Sequence, residues 1–178
     1  MVRNILLQND VDKEIIGDAI AAIIAINQED DELSRRKQNY MRHPIHLYVN
    51  SFGGSVHDMW SLISVIEASA TPVYTYCTGY AMSAGFMIFI SGHRRFIGKY
   101  AQLMYHQLST GVIGTAQEIA ECFESTEKEY AKMEEYVLLH TKISRKRLQE
   151  IRERKQDWYI SPKEALTLGI ADEVIRHV

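Results

Sequence analysis

Residues 45–54 read Ile-His-Leu-Tyr-Val-Asn-Ser-Phe-Gly-Gly, and residues 73–85 read Val-Tyr-Thr-Tyr-Cys-Thr-Gly-Tyr-Ala-Met-Ser-Ala-Gly. Each opens as a β-branched and aromatic run of strand length, Ile45–Asn50 and Val73–Thr78, and each runs into glycines that permit turn conformations. Between the two runs, Met59, Leu62, Ile63 and Ile66 recur at helical spacing over Val56–Ala70, which Thr71-Pro72 closes. Past Gly79, the residues Ala81–Ser91 predict a compact and very apolar helix. Arg95–Ile97 and Leu103–Tyr105 predict short strands around a Gly98-Lys99-Tyr100 turn. Upstream, Ile5–Leu7 predicts a strand. Ile15, Ile16, Ala19, Ile20, Ile23 and Ile24 lay a helical stripe along Val11–Ile26. Strand, helix, strand, helix, strand in short order predicts parallel strands joined by right-handed crossovers, hence an α/β fold.

Farther out the pattern changes. Residues 27–43 are polar and charge-mixed, and predict a solvated helix extension and loop. Thr115–His140 predicts one long helix rich in Glu and Lys, with Ile119, Phe123, Met133, Val137 and Leu138 spread along it. Ser144–Lys155 predicts a second helix. Ser161-Pro162-Lys163-Glu164 has the form of a capping box with proline at the first helical position. The helix it opens stops at Gly169, and Ile170–Ile175 predicts a last strand. The whole reads as an α/β head with a helical arm inserted before the C-terminal segment.

Composition bounds the function. A chain of 178 residues suits one domain and buries roughly 70% of its unfolded surface. Twenty Lys and Arg against twenty-three Asp and Glu leave a net charge of −3, with no basic footprint for nucleic acid. Cys77 and Cys122 form no CxxC pair and lie in apolar-periodic segments, which predicts free buried thiols in a reducing cytoplasm. The N-terminal residues lack the apolar core of a signal peptide, and no run of 18 apolar residues predicts a membrane span.

Ligands of open α/β sheets bind beyond the C-terminal ends of strands. One such end carries Gly53-Gly54. The next carries Ser83, near the start of an apolar helix and flanked by Ala81, Ala84 and Gly85. Small neighbours let a substrate backbone approach the hydroxyl, and helix-terminal amides favour an oxyanion. A serine that merely starts a helix accounts for the same residues equally well. A nucleophilic serine needs a base, and the base an orienting group. Of seven histidines, His43, His46 and His57 surround the first strand end, His93 sits in a turn, and His140 and His177 end segments. His106 ends the Leu103–Tyr105 strand, on the same rim as Ser83. Asp157 precedes the capped helix, with Trp158 and Tyr159 positioned to shield it from water, whereas Asp172 reads as a solvated turn residue. The order Ser83, His106, Asp157 differs from those of chymotrypsin, subtilisin and the α/β-hydrolases, and Ala-Met-Ser-Ala-Gly is not their Gly-x-Ser-x-Gly elbow.

Four segments in this order carry a resemblance. They are Leu47–Gly54, Gly79–Gly85, Met104–Gln107, and Asp157–Ala165 followed by Gly169–Asp172. From about Asn4 to Val174 the chain resembles the proteolytic subunit family of the Clp protease, with the ClpP/crotonase fold. That resemblance implies an α/β head of stacked βαβ units, residues 1–114 and 157–178, and a long protruding handle helix within 115–156, all in one domain. It implies Ser83 as nucleophile, His106 as general base and acid, Asp157 as orienting carboxylate, and Gly53, Gly54 and Ala84 as the oxyanion hole. It further implies heptameric rings, possibly stacked in pairs through the handle, that enclose unfolded protein or peptide substrates. Residues 107–115 would pair with an extended peptide. A ring-shaped AAA+ ATPase would feed the chamber, and neither a metal nor an organic cofactor is needed.

The sequence departs from that family at four places. It begins at the first core strand, so the N-terminal axial loop that helps engage the ATPase is expected to be absent. Phe52 stands where a proline usually precedes the two glycines. Lys155-Gln156 replaces an acidic residue and an arginine that bridge two rings, and Asp30–Arg42 is longer and more charged than expected. These departures leave open a regulatory ring subunit without activity of its own. A crotonase-type acyl-CoA enzyme would share the glycine turn but needs a carboxylate base beside it.

Overall fold

The computed structural model describes residues 3–176. Among them, strands β1 (Asn4–Leu7), β2 (Ile45–Val49), β3 (Val73–Cys77), β5 (Arg94–Ile97) and β8 (Glu173–Val174) form a five-stranded sheet in the order β1-β2-β3-β5-β8. Every pairing in it is parallel, as the alternation of strands and helices requires. A second sheet has the order β4-β6-β7, from β4 (Tyr80–Met82), β6 (Gln102–Tyr105) and β7 (Trp158–Ile160). There β4 runs parallel to β6, and β7 antiparallel.

The helices cover the first sheet and join the two. Helix α1 (Lys13–Arg36) opens on Asp12, whose Oδ1 accepts from the Glu14 and Ile15 amides. It packs Ile16, Ala19, Ile23 and Ile26 beside α2 (Val56–Ala68), whose Met59, Leu62, Ile63 and Ile66 are buried. Full burial of such side chains contributes about 1.5–3 kcal/mol each. All seven residues of α3 (Ala84–Ile90) are buried. Helices α4 (Ala116–His140) and α5 (Arg145–Arg154) intervene between β6 and β7, and α6 (Pro162–Thr167) precedes β8. The capping box forms at α6, where Ser161 Oγ accepts from the Glu164 amide and Glu164 Oε2 accepts from the Ser161 amide. A second box, Thr115 with Glu118, opens α4. No helix of the described residues is long and apolar enough to cross a membrane.

Four local expectations need correction. The charged stretch after Ile26 extends the helix to Arg36, as expected, but it is not wholly solvated. Asp30 is fully buried, where its carboxylate accepts from Arg3, from Tyr40 Oη (2.7 Å) and from Thr71 Oγ1 (2.6 Å). Chiefly the Arg3 hydrogen bond holds that carboxyl well below the usual range. Secondly, Ala81 and Met82, expected in the following helix, belong to the strand Tyr80–Met82, because Met82 bonds the Ser51 carbonyl and pairs with Met104. Asp172 is no free turn residue, since it accepts from the Arg95 amide, Nε and guanidinium at 2.7–3.0 Å. Finally, Cys77 is buried but Cys122 only partly so. Burial pushes the Cys77 thiol up to about 12.

Candidate active site

The small sheet brings three distant residues to one rim. Ser83 directly follows β4, His106 follows β6, and Asp157 precedes β7. In the β4–β6 ladder Met82 pairs with Met104, and the Ser83 amide donates to the Met104 carbonyl at 3.0 Å. In the antiparallel β6–β7 ladder Tyr105 pairs with Trp158, so one further step sets His106 opposite Asp157. Neighbouring strands lie about 4.8 Å apart, which is side-chain reach.

The side chains use that placement. His106 Nε2 lies 2.8 Å from Ser83 Oγ. On the other side of the ring, His106 Nδ1 lies 3.7 Å from Asp157 Oδ1. Side-chain exposure is 24% for His106 and 57% for Asp157. The aromatic shield expected over Asp157 does not form, because successive strand residues face opposite ways: Trp158 turns into the core and Tyr159 outward.

Ser83 takes φ 52° and ψ −121°, a region that L residues rarely occupy. Such a conformation costs about 1–3 kcal/mol and persists only where the surroundings enforce it. Two contacts do so here: the Ser83 amide donating to the Met104 carbonyl, and the Ser83 carbonyl accepting from the Met87 amide in the first turn of α3. Ser83 is therefore the N-cap of α3 rather than a residue inside it. Ala84 is the first helical residue, whose amide has no intrahelical partner.

The glycine turn lies directly against this nucleophile. Gly53 has φ 112°, and a Cβ on it would fall 2.7 Å from Ser83 Cβ and 3.1 Å from the Ala84 nitrogen. The turn is held by a residue that motif reasoning missed. Ser51 is buried, its Oγ accepts from the Gly53 amide (3.1 Å), and its backbone links β2 to β4 through Tyr80 and Met82. Asn50 supports the other side, where Oδ1 accepts from the Gly79 amide at 2.8 Å. The signal was a polar Asn50-Ser51 pair at the end of a buried strand. Phe52 stacks on Tyr80, with ring centroids 4.3 Å apart.

Three of the remaining histidines are engaged elsewhere. His46 meets Tyr76 Oη at 2.9 Å, His93 meets the Val73 amide, and His140 stacks on Tyr136 near Glu67. His43 and His57 are exposed, and His177 lies outside the described residues. Among the described residues no three His, Cys, Asp or Glu side chains converge as a metal site would require. The arrangement can deprotonate a hydroxyl beside helix-terminal and turn amides. Compared with known protein families, residues 1–178, the whole chain, match the family described as Clp protease.

Proposed function

The chain belongs to the Clp protease family, and from that premise we propose that it is a serine endopeptidase acting through Ser83, His106 and Asp157. The observation that carries this reading is the 2.8 Å contact between Ser83 Oγ and His106 Nε2 beside the glycine turn. Ser83 Oγ attacks the scissile carbonyl carbon while its proton passes to His106 Nε2. The resulting oxyanion is held by amides of the Gly53-Gly54 turn and by Ala84. Since the Gly53 amide donates to Ser51, the Gly54 and Ala84 amides take the larger share. The C–N bond then breaks as His106 returns the proton to the leaving amine. Water, deprotonated by the same imidazole, hydrolyses the acyl ester and frees Ser83.

Asp157 accepts from His106 Nδ1 and stabilises the imidazolium that forms in each half-reaction. Its 3.7 Å separation closes when substrate fills the site, since hydrogen bonds of catalytic groups are often long in free enzymes. Family membership supports a self-assembling protein; in the reading proposed here residues 1–114 and 157–178 make up a head, and 115–156 a handle. In the assembly proposed here, heptameric rings in the cytoplasm enclose unfolded protein or peptide substrates, and an AAA+ unfoldase is the partner class that supplies them. No cofactor takes part in the peptidase chemistry.

A fluorophosphonate probe should label Ser83 in the wild-type protein. Ser83→Ala should abolish both the labelling and the hydrolysis of casein, a loss of about 10⁴-fold or more. Casein hydrolysis unchanged in that variant would overturn the assignment. The reading as a ring subunit without activity has one observation in its favour, the open gap at Asp157. Turnover only in mixed rings with an active relative, and no labelling of the pure protein, would select it.

A further inference from the structure

In the proposed reaction the residue on the acyl side of the scissile bond (P1) must send its side chain away from Ser83 into whatever space adjoins it. A cavity of about 300 Å³ is lined in part by Val56, His57, Leu108, Cys122, Thr126 and Glu129. Leu108 stands two residues past His106, and Val56 two residues past Gly54. Two residues of extended chain span at most about 7 Å, so two of the lining residues stand close to the catalytic rim, one on each side of it. Its volume is at the small end for ligand pockets and suits one side chain rather than a whole ligand.

The walls are of two kinds. Val56 and Leu108 are half-buried and apolar, and Cys122 on α4 continues that surface. Glu129, two helical turns further along α4, is a half-buried carboxylate. Its Oε2 accepts from Trp60 Nε1 at 3.0 Å. Among the described residues no cation pairs with it. Lys132, one turn onward, instead places its ammonium over the Trp60 ring, 4.3 Å from the centroid. One carboxylate oxygen is thus anchored by an indole, beside a passage lined by Val56, Leu108 and Cys122 and, with them, His57. Long basic side chains match both halves, because their methylene stems lie on apolar surface while their heads seek a counter-charge.

We propose that Glu129 makes this cavity a P1 subsite selective for lysine or arginine. The inference rests on the serine endopeptidase reading above. The stem of the P1 side chain lies along Val56, Leu108 and Cys122, and its ammonium or guanidinium meets the free oxygen of Glu129. Trp60 acts as a positioning residue that aims the carboxylate. An acidic P1 residue is disfavoured by the same charge.

The test uses fluorogenic peptides identical except for Lys, Arg, Leu or Glu at P1, with the full-length protein. Labelling by a small fluorophosphonate, which has no P1 side chain, reports on Ser83 alone. Wild-type kcat/KM should favour Lys and Arg over Leu by about 10- to 100-fold, with Glu the poorest. Glu129→Gln keeps the Trp60 acceptor and should lower the Lys-to-Leu ratio at least tenfold. Glu129→Lys should turn the preference toward Glu. The wild-type Lys-to-Leu ratio should also shrink in high salt, as screening weakens a partly exposed ion pair. Labelling together with equal or better cleavage after Leu, or with a ratio that Glu129→Gln leaves unmoved, overturns the subsite and leaves the serine reading intact. No labelling and no cleavage of any peptide overturns the serine reading, and the subsite with it.

Discussion

The five-stranded sheet and the three-stranded sheet differ less in how they bury alternate residues than in what their strand ends carry. In β2 and β3 alternate residues are fully buried, and the outward positions carry rings that stack across strands. Tyr48 and Tyr76 lie 4.9 Å apart, and Tyr76 and Phe96 lie 4.7 Å apart. The Asn50-Ser51 strand end ties that sheet to the Ser83 segment, through hydrogen bonds to Gly53, Gly79, Tyr80 and Met82. In the smaller sheet no strand exceeds four residues, yet all three reactive side chains sit one residue beyond its ladders. The larger sheet thus carries stability and the smaller one reactivity. Gly85 shows how closely the two are joined, since a Cβ there would fall 2.9 Å from the Ser51 carbonyl oxygen.

If this division is right, perturbing the small sheet should change turnover without changing the melting temperature, and perturbing the large one should do the reverse. His106→Ala is the strongest case. It should lower kcat by about 10⁴-fold in a peptide assay, while Tm by calorimetry stays within about 2 °C. A Tm loss as large as the activity loss would break the comparison.

The next largest effect belongs to the other sheet's surroundings. Asp30→Ala leaves Arg3 without its buried partner, at a cost of about 3–5 kcal/mol, which is roughly a 10 °C fall in Tm. Peptidase activity measured well below the new Tm should hold. The same carboxyl gives a pH dependence. Folded Asp30 stays ionised at pH values where an unfolded aspartate, with its pKa of about 3.9, takes up a proton. The unfolded chain therefore binds more protons as pH falls through about 4. The stability that Asp30 provides above that pH is lost progressively below it. Acid melts of the wild type and of Asp30→Asn should accordingly converge as pH drops from 5 to 2.

Asp157→Asn comes third, with about a 10²-fold fall in kcat and no change in Tm. That loss is smaller than the roughly 10⁴-fold seen where the carboxylate is buried against its imidazole, because here it is largely exposed. Lys155→Gly is the smallest. Lys155 caps α5 in the left-handed region at φ 50°, where glycine avoids a Cβ penalty of about 1 kcal/mol. A rise in Tm of roughly 2 °C with unaltered kcat is expected.

What could be read from the sequence follows the same division. Ile45–Val49 and Val73–Cys77 were legible because a buried strand of five residues shows its composition plainly. Their order with the intervening helices was enough for the parallel sheet. Strands β4 and β7 were not legible, since three residues contain hardly more than one period of alternation. Only pairing with β6 makes them strands. Asp30 was misread for a related reason. Its burial depends on Arg3, Tyr40 and Thr71 arriving from separate segments, and a charged helix face looks the same in sequence whether or not they arrive. Ser83, His106 and Asp157 could be picked out by residue type, place at segment ends and resemblance. The 2.8 Å and 3.7 Å contacts could not, because they are products of ladder register.

That ladder is short. Three residue pairs, Leu103 with Ile160, Met104 with Tyr159 and Tyr105 with Trp158, fix where β7 begins its count along β6. Sliding the ribbon by a single position would swing the carboxylate to the opposite surface and leave Gln156 or Trp158 beside the imidazole. Neither side chain is an anion. The helical arm of α4 and α5 feeds directly into this ribbon, so its seating on the head decides which chemical group the imidazole meets.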